Sequence, residues 1–519
     1  MEFSAILALL VTFLITLHFL MSWWRQTRRY KSLPDGPTPL PFLGTPKYMN
    51  IRAADKNYTM LSQKYGSIFT IWKLSEPVVV LCGYETVKDA LLNHAEEFSA
   101  RPIIPTLHFP DQGYGSRLAG NSGVRIILHG RESTKWWRGI SGPRWRSLRR
   151  FAISSLRNFG MGKKTMESRV LEEATYLTQA AAETEGKPFN PLLIVASAVG
   201  NIVSSVLFGE HFDYSNPKLH DLMSHTSRHI RNFSSTLHTA CNVFPLLLKL
   251  PFFAKFIFRE NAYLNNFVLK YIEEHKRTLN PEAPRDLIDY FLLKMKEVEH
   301  EEDPDFCDTS LLSVVVGLLA AGSETTASSL KFCLVFFAHY PDVQAKVQQE
   351  IDEVTQSLRF PGIEDRPQLA YTNAAIHEIQ RVLDLAPTAL FHAVTKDMHF
   401  RGYTLPKGTI IIPFLSSVLN DPSQWETPEQ FNPGHFLDEQ GQFRNRVAFM
   451  PFSAGKRVCA GESLARMELF LLISALLQKF TFKLPPGTER RDSKWLNANK
   501  RDLMSYAELC AVPRALPTK

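Results

Sequence analysis

Residues 452–462 read Phe452-Ser453-Ala454-Gly455-Lys456-Arg457-Val458-Cys459-Ala460-Gly461-Glu462, and they lead straight into an amphipathic stretch at 463–478. A cysteine at the start of a helix faces the positive end of the dipole and amide groups with no partner inside the helix, and both favour a thiolate. Gly455 permits a tight turn, and Gly461 lets backbone approach a flat ligand closely. Arg457 is a fixed cation two residues before the sulfur, suited to a carboxylate. A cysteine taken alone is more often a small buried hydrophobe. The whole pattern F-x-x-G-x-R-x-C-x-G sets this one apart from the other five of the chain's six cysteines. Those six are scattered, with no C-x-x-C pair, which argues against a disulfide framework and for a reducing compartment.

Upstream lies an apolar stretch with helical periodicity at 311–339, and inside it stands Ala321-Gly322-Ser323-Glu324-Thr325-Thr326. Glycine within a helix costs about 1 kcal/mol relative to alanine, so something should be gained there. Small residues leave a notch, and the Thr325 hydroxyl can bond backward to a carbonyl and bend the helix. Glu324 is a charge in an otherwise apolar helix. Packing through small residues is the ordinary reading of such a notch. Glu378 and Arg381 form E-x-x-R on a helix over 373–383, where i and i+3 share a face; as a lone pair this reads as a solvated ion pair. Phe431-Asn432-Pro433-Gly434-His435-Phe436 follows it. Trp145 and Arg149, spaced i, i+4 on a basic helix, share a face too, and on a surface they form a cation–π pair.

The remaining periodicity points the same way. Helical patterns recur at 171–182, 261–278, 343–356 and 462–478, whereas strand-like runs are short, at 68–72, 78–82 and 409–414. The fold class is therefore mainly α with a small β region. Apolar residues make up 45% and charged residues 21% of the 519 residues, enough for a large core. A net charge of +7 is too weak to point to nucleic acid, though local basic patches suit an acidic partner or lipid.

Residues 3–24 contain no formally charged side chain and are long enough to span a bilayer. A cleaved signal peptide has a shorter apolar core, a basic leader and a small-residue cleavage site. Here Glu2 leads, Trp23 and Trp24 sit at belt level, and Arg25, Arg28, Arg29 and Lys31 follow, which leaves the rest of the chain in the cytoplasm. Thus 1–24 reads as a transmembrane anchor and 25–44 as a basic, proline-rich linker acting as a stiff spacer. Residues 45–519 read as one catalytic domain. A broken apolar run at 243–258 contains Pro245, Pro251, Lys249 and Lys255. It reads either as a buried loop or as a loop dipping into the membrane the anchor enters.

The cysteine loop resembles that of the cytochrome P-450 superfamily, and the other motifs match it independently. The resemblance runs from residue 33 to 514. Details such as Leu156-Arg157-Asn158-Phe159-Gly160 and Cys510-Ala511-Val512-Pro513-Arg514 point to its microsomal family two. It implies the superfamily's fold behind a single transmembrane helix, with haem b (iron protoporphyrin IX) held by the Cys459 thiolate. It also implies that Thr325 acts on bound oxygen while Glu324 relays protons. The haem propionates would be bound by Trp145, Arg149 and Arg457, and by matching flanks also by Arg101 and His392. Glu378, Arg381 and the 431–436 loop would be scaffold, with His435 where many relatives have arginine. The activity implied is insertion of one atom of O2 into a hydrophobic xenobiotic, steroid or fatty acid. Its electrons would come from NADPH through a flavin reductase, with a cytochrome b as candidate second donor. The place implied is the endoplasmic reticulum (microsomal) membrane, catalytic domain facing the cytoplasm. Arg144, Arg146, Arg150, Lys163, Lys164 and Lys456 are either a reductase-docking face or a generic solvated basic surface.

Two departures stand out. Gly123–Gly130 and Gly142–Trp145 both fit the family's pattern, yet residues 131–141 intervene, which with one flanking glycine make an extra segment of 12 residues, 131–142 (RESTKWWRGISG). Phe391 replaces a proline usual before His392. Residues expected to line a cavity, at 102–113, 320–321 and 385–390, are apolar and suit a hydrophobic ligand. Two other functions fit a haem thiolate, an isomerase or dehydratase acting on a peroxide and a non-enzymatic membrane haem protein. The Glu324–Thr325 pair favours oxygen activation over both.

Overall fold

The computed structural model describes residues 32–40, 43–49, 54–74, 76–108, 141–160, 164–233, 235–300, 305–499, 502–503 and 507–515, besides Leu17 and Met21. The anchor apart from Leu17 and Met21, the whole basic cluster Arg25, Arg28, Arg29 and Lys31, and the 131–142 segment up to residue 140 lie outside the described residues. The chain divides into two compact units. One comprises Met1–Pro102, Ala386–Gln424 and Ser453–Val458; the other comprises Ile103–Leu385, Trp425–Phe452 and Cys459–Lys519.

The first unit is built on β-branched and aromatic runs, which suit a pleated half-buried surface. Its strands are β1 (Ile68–Lys73), β2 (Glu76–Leu81), β3 (His392–Ala393), β4 (Met398–Phe400), β5 (Tyr403–Leu405) and β6 (Ile410–Pro413). The main sheet runs in the order β1-β2-β6-β3, with β4 and β5 as a separate hairpin. β2 and β6 pair in parallel with Val78 opposite Ile410, and β3 returns antiparallel with His392 opposite Ile411. Helix α1 (Ala54–Tyr65) supplies Ala54, Tyr58 and Leu61 to a core shared with Phe69, Ile71, Val80 and Phe414. Helix α2 is the short Tyr84–Lys88. The described part of the proline-rich run lies along β1. The Thr70 amide donates to the Asp35 carbonyl at 3.1 Å, and a Cβ on Gly36 would meet the Thr70 oxygen at 1.9 Å.

The second unit is helical. Its helices are α3 (Pro143–Asn158), α4 (Lys164–Ala182), α5 (Leu192–Leu207), α6 (Pro217–Asn232), α7 (Thr236–Val243), α8 (Pro251–Thr278) and α9 (Leu287–Glu297). They continue with α10 (Asp308–His339), α11 (Pro341–Thr355), α12 (Ala370–Leu383) and α13 (Glu462–Lys479). β7 (Phe480–Lys483) and β8 (Cys510–Pro513) form its antiparallel pair. Proline opens α3, α6, α8 and α11, where its missing N–H costs nothing, and Asn216, Ser235 and Asp286 cap α6, α7 and α9 with their side chains. α10 has 32 residues, a rod of about 48 Å, and packs against α5, α6, α8 and α13. Among the described residues it is the helix long and apolar enough to cross a membrane, yet it is a buried core helix.

The expected helices and strands are present with shifted ends: α4 begins seven residues and α8 ten residues earlier than expected, whereas β6 is shorter by one residue at each end. The run 243–258 is different from either reading of it as a loop. α7 ends at Val243, a 3-10 turn covers Pro245–Lys249, and Pro251 is the first residue of α8. The second proline starts a helix instead of breaking one. Leu246, Leu250, Phe252 and Phe256 nonetheless stand exposed, Phe252 at 76%. α5 had no periodic signature because it is buried nearly all round, so no polar face marks it.

Candidate functional site

Cys459 sits just outside α13, whose N-cap is Gly461. Its amide donates to the Phe452 carbonyl at 3.0 Å, closing the turn that begins seven residues earlier. Gly455, at φ +70, could not be another residue: a Cβ there would stand 1.9 Å from the Leu91 carbonyl oxygen. Gly461 differs, since nothing in the protein lies within 4 Å of its Cβ position. Cys459 is exposed, whereas the other five cysteines are buried or half-buried. Lost hydration holds its thiol above the ordinary range. The Gly461 and Glu462 amides and the Arg149 guanidinium pull the other way, and the Glu462 carboxylate adds to the rise. The helix start thus favours the thiolate, as expected, but does not win by itself. Ionisation at neutral pH calls for a cation on the sulfur, which deprotonates a coordinating thiol outright.

Trp145 and Arg149 lie on α3, with the Arg149 guanidinium 5.8 Å from the Trp145 ring. Trp145 is buried, so the pair is not the surface stack that is the ordinary reading of this spacing. On α10 the Thr325 hydroxyl is exposed and donates to the Ala321 carbonyl at 2.6 Å. A Cβ on Gly322 would meet the Val203 side chain at 3.2 Å, so this glycine serves helix packing against α5. Burial raises the Glu324 carboxyl above its usual range, opposed by Ser227 and Arg231 of α6. Sequence reasoning missed those two α6 residues, and one signal for them is the Ser227, Arg231 spacing of i, i+4.

In the first unit three expected residues gather around one turn of chain. The Arg457 Nε donates to the Ser99 carbonyl at 2.7 Å, and Arg101 donates to the carbonyls of Leu390 and Phe391 at 2.6 and 2.7 Å. His392 is buried with Nδ1 2.6 Å from the Phe98 carbonyl, so that nitrogen carries the proton. Burial, with Arg101 and Arg457 beside it, pushes its pKa down to about 3. The two guanidiniums are donors suited to carboxylates, whereas the neutral imidazole has only a lone pair left, at Nε2.

Glu378 and Arg381 are fully buried, which overturns the solvated-pair reading. Arg381 meets both carboxylate oxygens at 2.7 and 2.8 Å and donates to the carbonyls of Pro428 and Gln430. His435 completes the group, its Nδ1 3.1 Å from each Glu378 oxygen, while Nε2 accepts from the Thr427 amide. Accepting there fixes the proton on Nδ1, so a neutral histidine fills the third place. Of the basic residues, Arg144 turns inward to Ser310 and Cys307, and Lys456 pairs with Glu96. Arg146, Arg150 and Lys164 are exposed, and Lys163 lies outside the described residues. One other group among the described residues has ion-binding geometry, His275 with Asp286 and Asp289. It is closed on itself: His275 pairs with Asp286, Arg285 grips Asp289, and Asp286 caps α9.

A mostly helical body with small sheets thus carries an exposed cysteine after a glycine-turned loop, just ahead of a helix. The chain matches the Cytochrome P450 family over residues 34–123 and 140–501, and it belongs to that family. It is 41% identical to Cytochrome P450 2C29 of Mus musculus over 514 residues, covering 99% of this chain and all of the relative. It is 41% identical to Cytochrome P450 2C25 of Mesocricetus auratus over 506 residues, or 97% of this chain and 99% of that one. With Cytochrome P450 2C39 of Mus musculus the identity is 42% over 509 residues, 97% of this chain and 100% of that one. The protein is a cytochrome P450 monooxygenase, and the family implies haem. The residues present fit such a group: a lone exposed sulfur, amides aimed at it, and a glycine whose missing side chain protein packing does not demand. The family match omits residues 124–139, which overlap the extra segment 131–142.

Proposed function

We propose that the Cys459 thiolate would hold haem iron in a membrane-anchored monooxygenase that inserts one atom of O2 into a hydrophobic xenobiotic, steroid or fatty acid. The observation that carries this is Cys459 itself, the one exposed cysteine of the six, with the Gly461 and Glu462 amides and the Arg149 charge acting on its thiol. When bound through a thiolate, haem supplies dioxygen activation: RH + O2 + 2e⁻ + 2H⁺ gives ROH + H2O. The chain's own groups do the rest. Trp145, Arg149, Arg101 and Arg457 would donate to the propionates, and His392 would stand beside Arg101 and Arg457 as a neutral imidazole whose one N–H is given to the Phe98 carbonyl. The Thr325 hydroxyl, beside the Ala321 carbonyl, would act on bound oxygen, and Glu324, which retains a proton at higher pH than an ordinary carboxylate, would relay protons.

Electrons come from NADPH through a flavin reductase, with a cytochrome b as a second donor. Arg146, Arg150 and Lys164 form an exposed basic surface for such an acidic partner. The enzyme sits in the endoplasmic reticulum membrane by a helix at 3–24, its catalytic part in the cytoplasm. Exposed Leu246, Leu250, Phe252 and Phe256, with Lys249 and Lys255 among them, rest on the same bilayer.

The test is the full-length protein with reductase, NADPH and lipid, assayed for product across fatty acids, steroids and drugs. Wild-type protein is expected to show the thiolate-type spectrum when reduced and exposed to carbon monoxide, and Cys459→Ala to lose it. Persistence of that spectrum in the variant sinks the ligand assignment.

A further inference from the structure

We infer that Arg466 is a positioning residue for the Cys459 sulfur, a role that rests on the haem-thiolate reading above and extends it. Its guanidinium lies between two rings, 5.2 Å from the Phe449 centroid and 5.0 Å from that of Phe452. Phe452 is the residue whose carbonyl accepts the Cys459 amide. One side chain therefore presses on the residue that holds the sulfur's own backbone.

The guanidinium is fixed from two further directions. Glu462, one turn earlier on α13, accepts from Nε at 2.9 Å and lies 2.8 Å from Nη2. His377 of α12 accepts from Nη1 through Nε2 at 2.7 Å. The direction of that bond is settled by the other ring nitrogen. His377 Nδ1 faces the Asn373 carbonyl at 2.7 Å and must carry the proton, so Nε2 offers its lone pair and the imidazole is neutral. The rings of Phe436, Phe443 and Phe449 wall it in at 5.4, 4.8 and 5.0 Å. An arginine held on four sides is an expensive arrangement in side-chain entropy, and none of its partners belongs to the buried Glu378–Arg381–His435 group except through the helix they share.

Two effects on Cys459 follow, and they separate by chemistry. The Arg466 guanidinium lies over the Phe452 ring at 5.0 Å and stiffens the turn; a lysine has the charge but no planar group to lay there. The charge of Arg466 is paired with Glu462, a carboxylate close enough to act on the Cys459 sulfur. Removing the arginine leaves that negative charge uncompensated beside the metal ligand. Groups around a ligand typically change its metal site by about 10- to 100-fold when lost.

The experiment uses full-length haem-loaded protein and reads two quantities that need no substrate. They are the iron reduction potential and the rate at which the carbon monoxide band of the thiolate form is lost. Arg466→Met is expected to move the potential to more negative values and to speed loss of the band about tenfold. Arg466→Lys is expected to keep the potential but lose the band as fast. The pair Glu462→Gln with Arg466→Met is expected to bring the potential back toward wild type without restoring the band's lifetime. A wild-type potential and lifetime in Arg466→Met overturns the inference. So does an equally shifted potential in the double variant, or a wild-type lifetime in Arg466→Lys, which also decides the matter if the methionine variant takes up no haem. A wild-type protein with no thiolate band at all sinks the haem-thiolate reading instead, and this inference with it.

Discussion

Glu468 is 1% exposed on α13, with the Thr326 hydroxyl beside its carboxyl and its Oε1 without a partner among the described residues. Burial pushes its pKa up to about 8, so it is a neutral acid at pH 7. A folded-state value raised above the unfolded one gives stability that is complete below the unfolded pKa and is lost as pH climbs toward 8. The slope for one such group is about 1.4 kcal/mol per pH unit. Glu468→Gln cannot ionise, so its melting temperature should fall less than wild type's between pH 5 and pH 8; parallel curves would refute the assignment. Nothing in the sequence marks Glu468, since one glutamate in an apolar helix reads equally as a surface position. The Cys459 turn was legible because its pattern is local and Gly455 leaves no room for a side chain. Glu378 and Arg381 were legible as a pair, but their burial depends on His435 and on carbonyls some 50 residues away in sequence, beyond the reach of helical spacing.

Helix α10 shows how much an element's face decides. Its glycine packs on Val203, its Glu324 reaches toward α6, and its Thr325 hydroxyl bonds back along the helix while remaining exposed. Three neighbouring residues thus present a packing contact, a half-buried carboxyl and an exposed hydroxyl in turn, which periodicity alone does not separate. Thr325→Ala should therefore lower product formed per NADPH consumed several-fold while leaving substrate affinity within about twofold. An unchanged ratio of product to NADPH would remove the hydroxyl from the reaction. The start of α8 carries the converse lesson. Pro245 and Pro251 read as breaks because proline interrupts a helix interior, yet at N1 it is well suited to begin one. That turns Phe252 and Phe256 into neighbours on one helical face, both exposed.

At the scale of the whole molecule, the family match skips residues 124–139, and the sequence reading places the extra segment at 131–142. The segment has neither strand alternation nor a sustained apolar stripe, and lengthening a loop by a dozen residues costs only on the order of 1 kcal/mol. Deleting 131–142 should leave haem content intact and change substrate range or membrane partitioning, because Trp136 and Trp137 are the apolar part of what is removed. Loss of haem on deletion would mean instead that the segment supports Trp145 and Arg149. The fold class was legible because most helices present a stripe, but the division into two units was not. Each unit is assembled from three separated pieces of chain, and no linker composition announces the crossings.

The parallel pairing of β2 with β6 also sets a timetable for synthesis. β1 and β2 leave the ribosome early, but the neighbour that closes β2's other edge arrives about 330 residues later, on the order of tens of seconds at ordinary translation rates. For that interval Val78–Leu81 is an apolar strand with one open edge, a template for the wrong partner. The N-terminal hairpin is made first and finished among the last, so the nascent chain is most exposed to aggregation where its sheet, and not its helices, is still waiting.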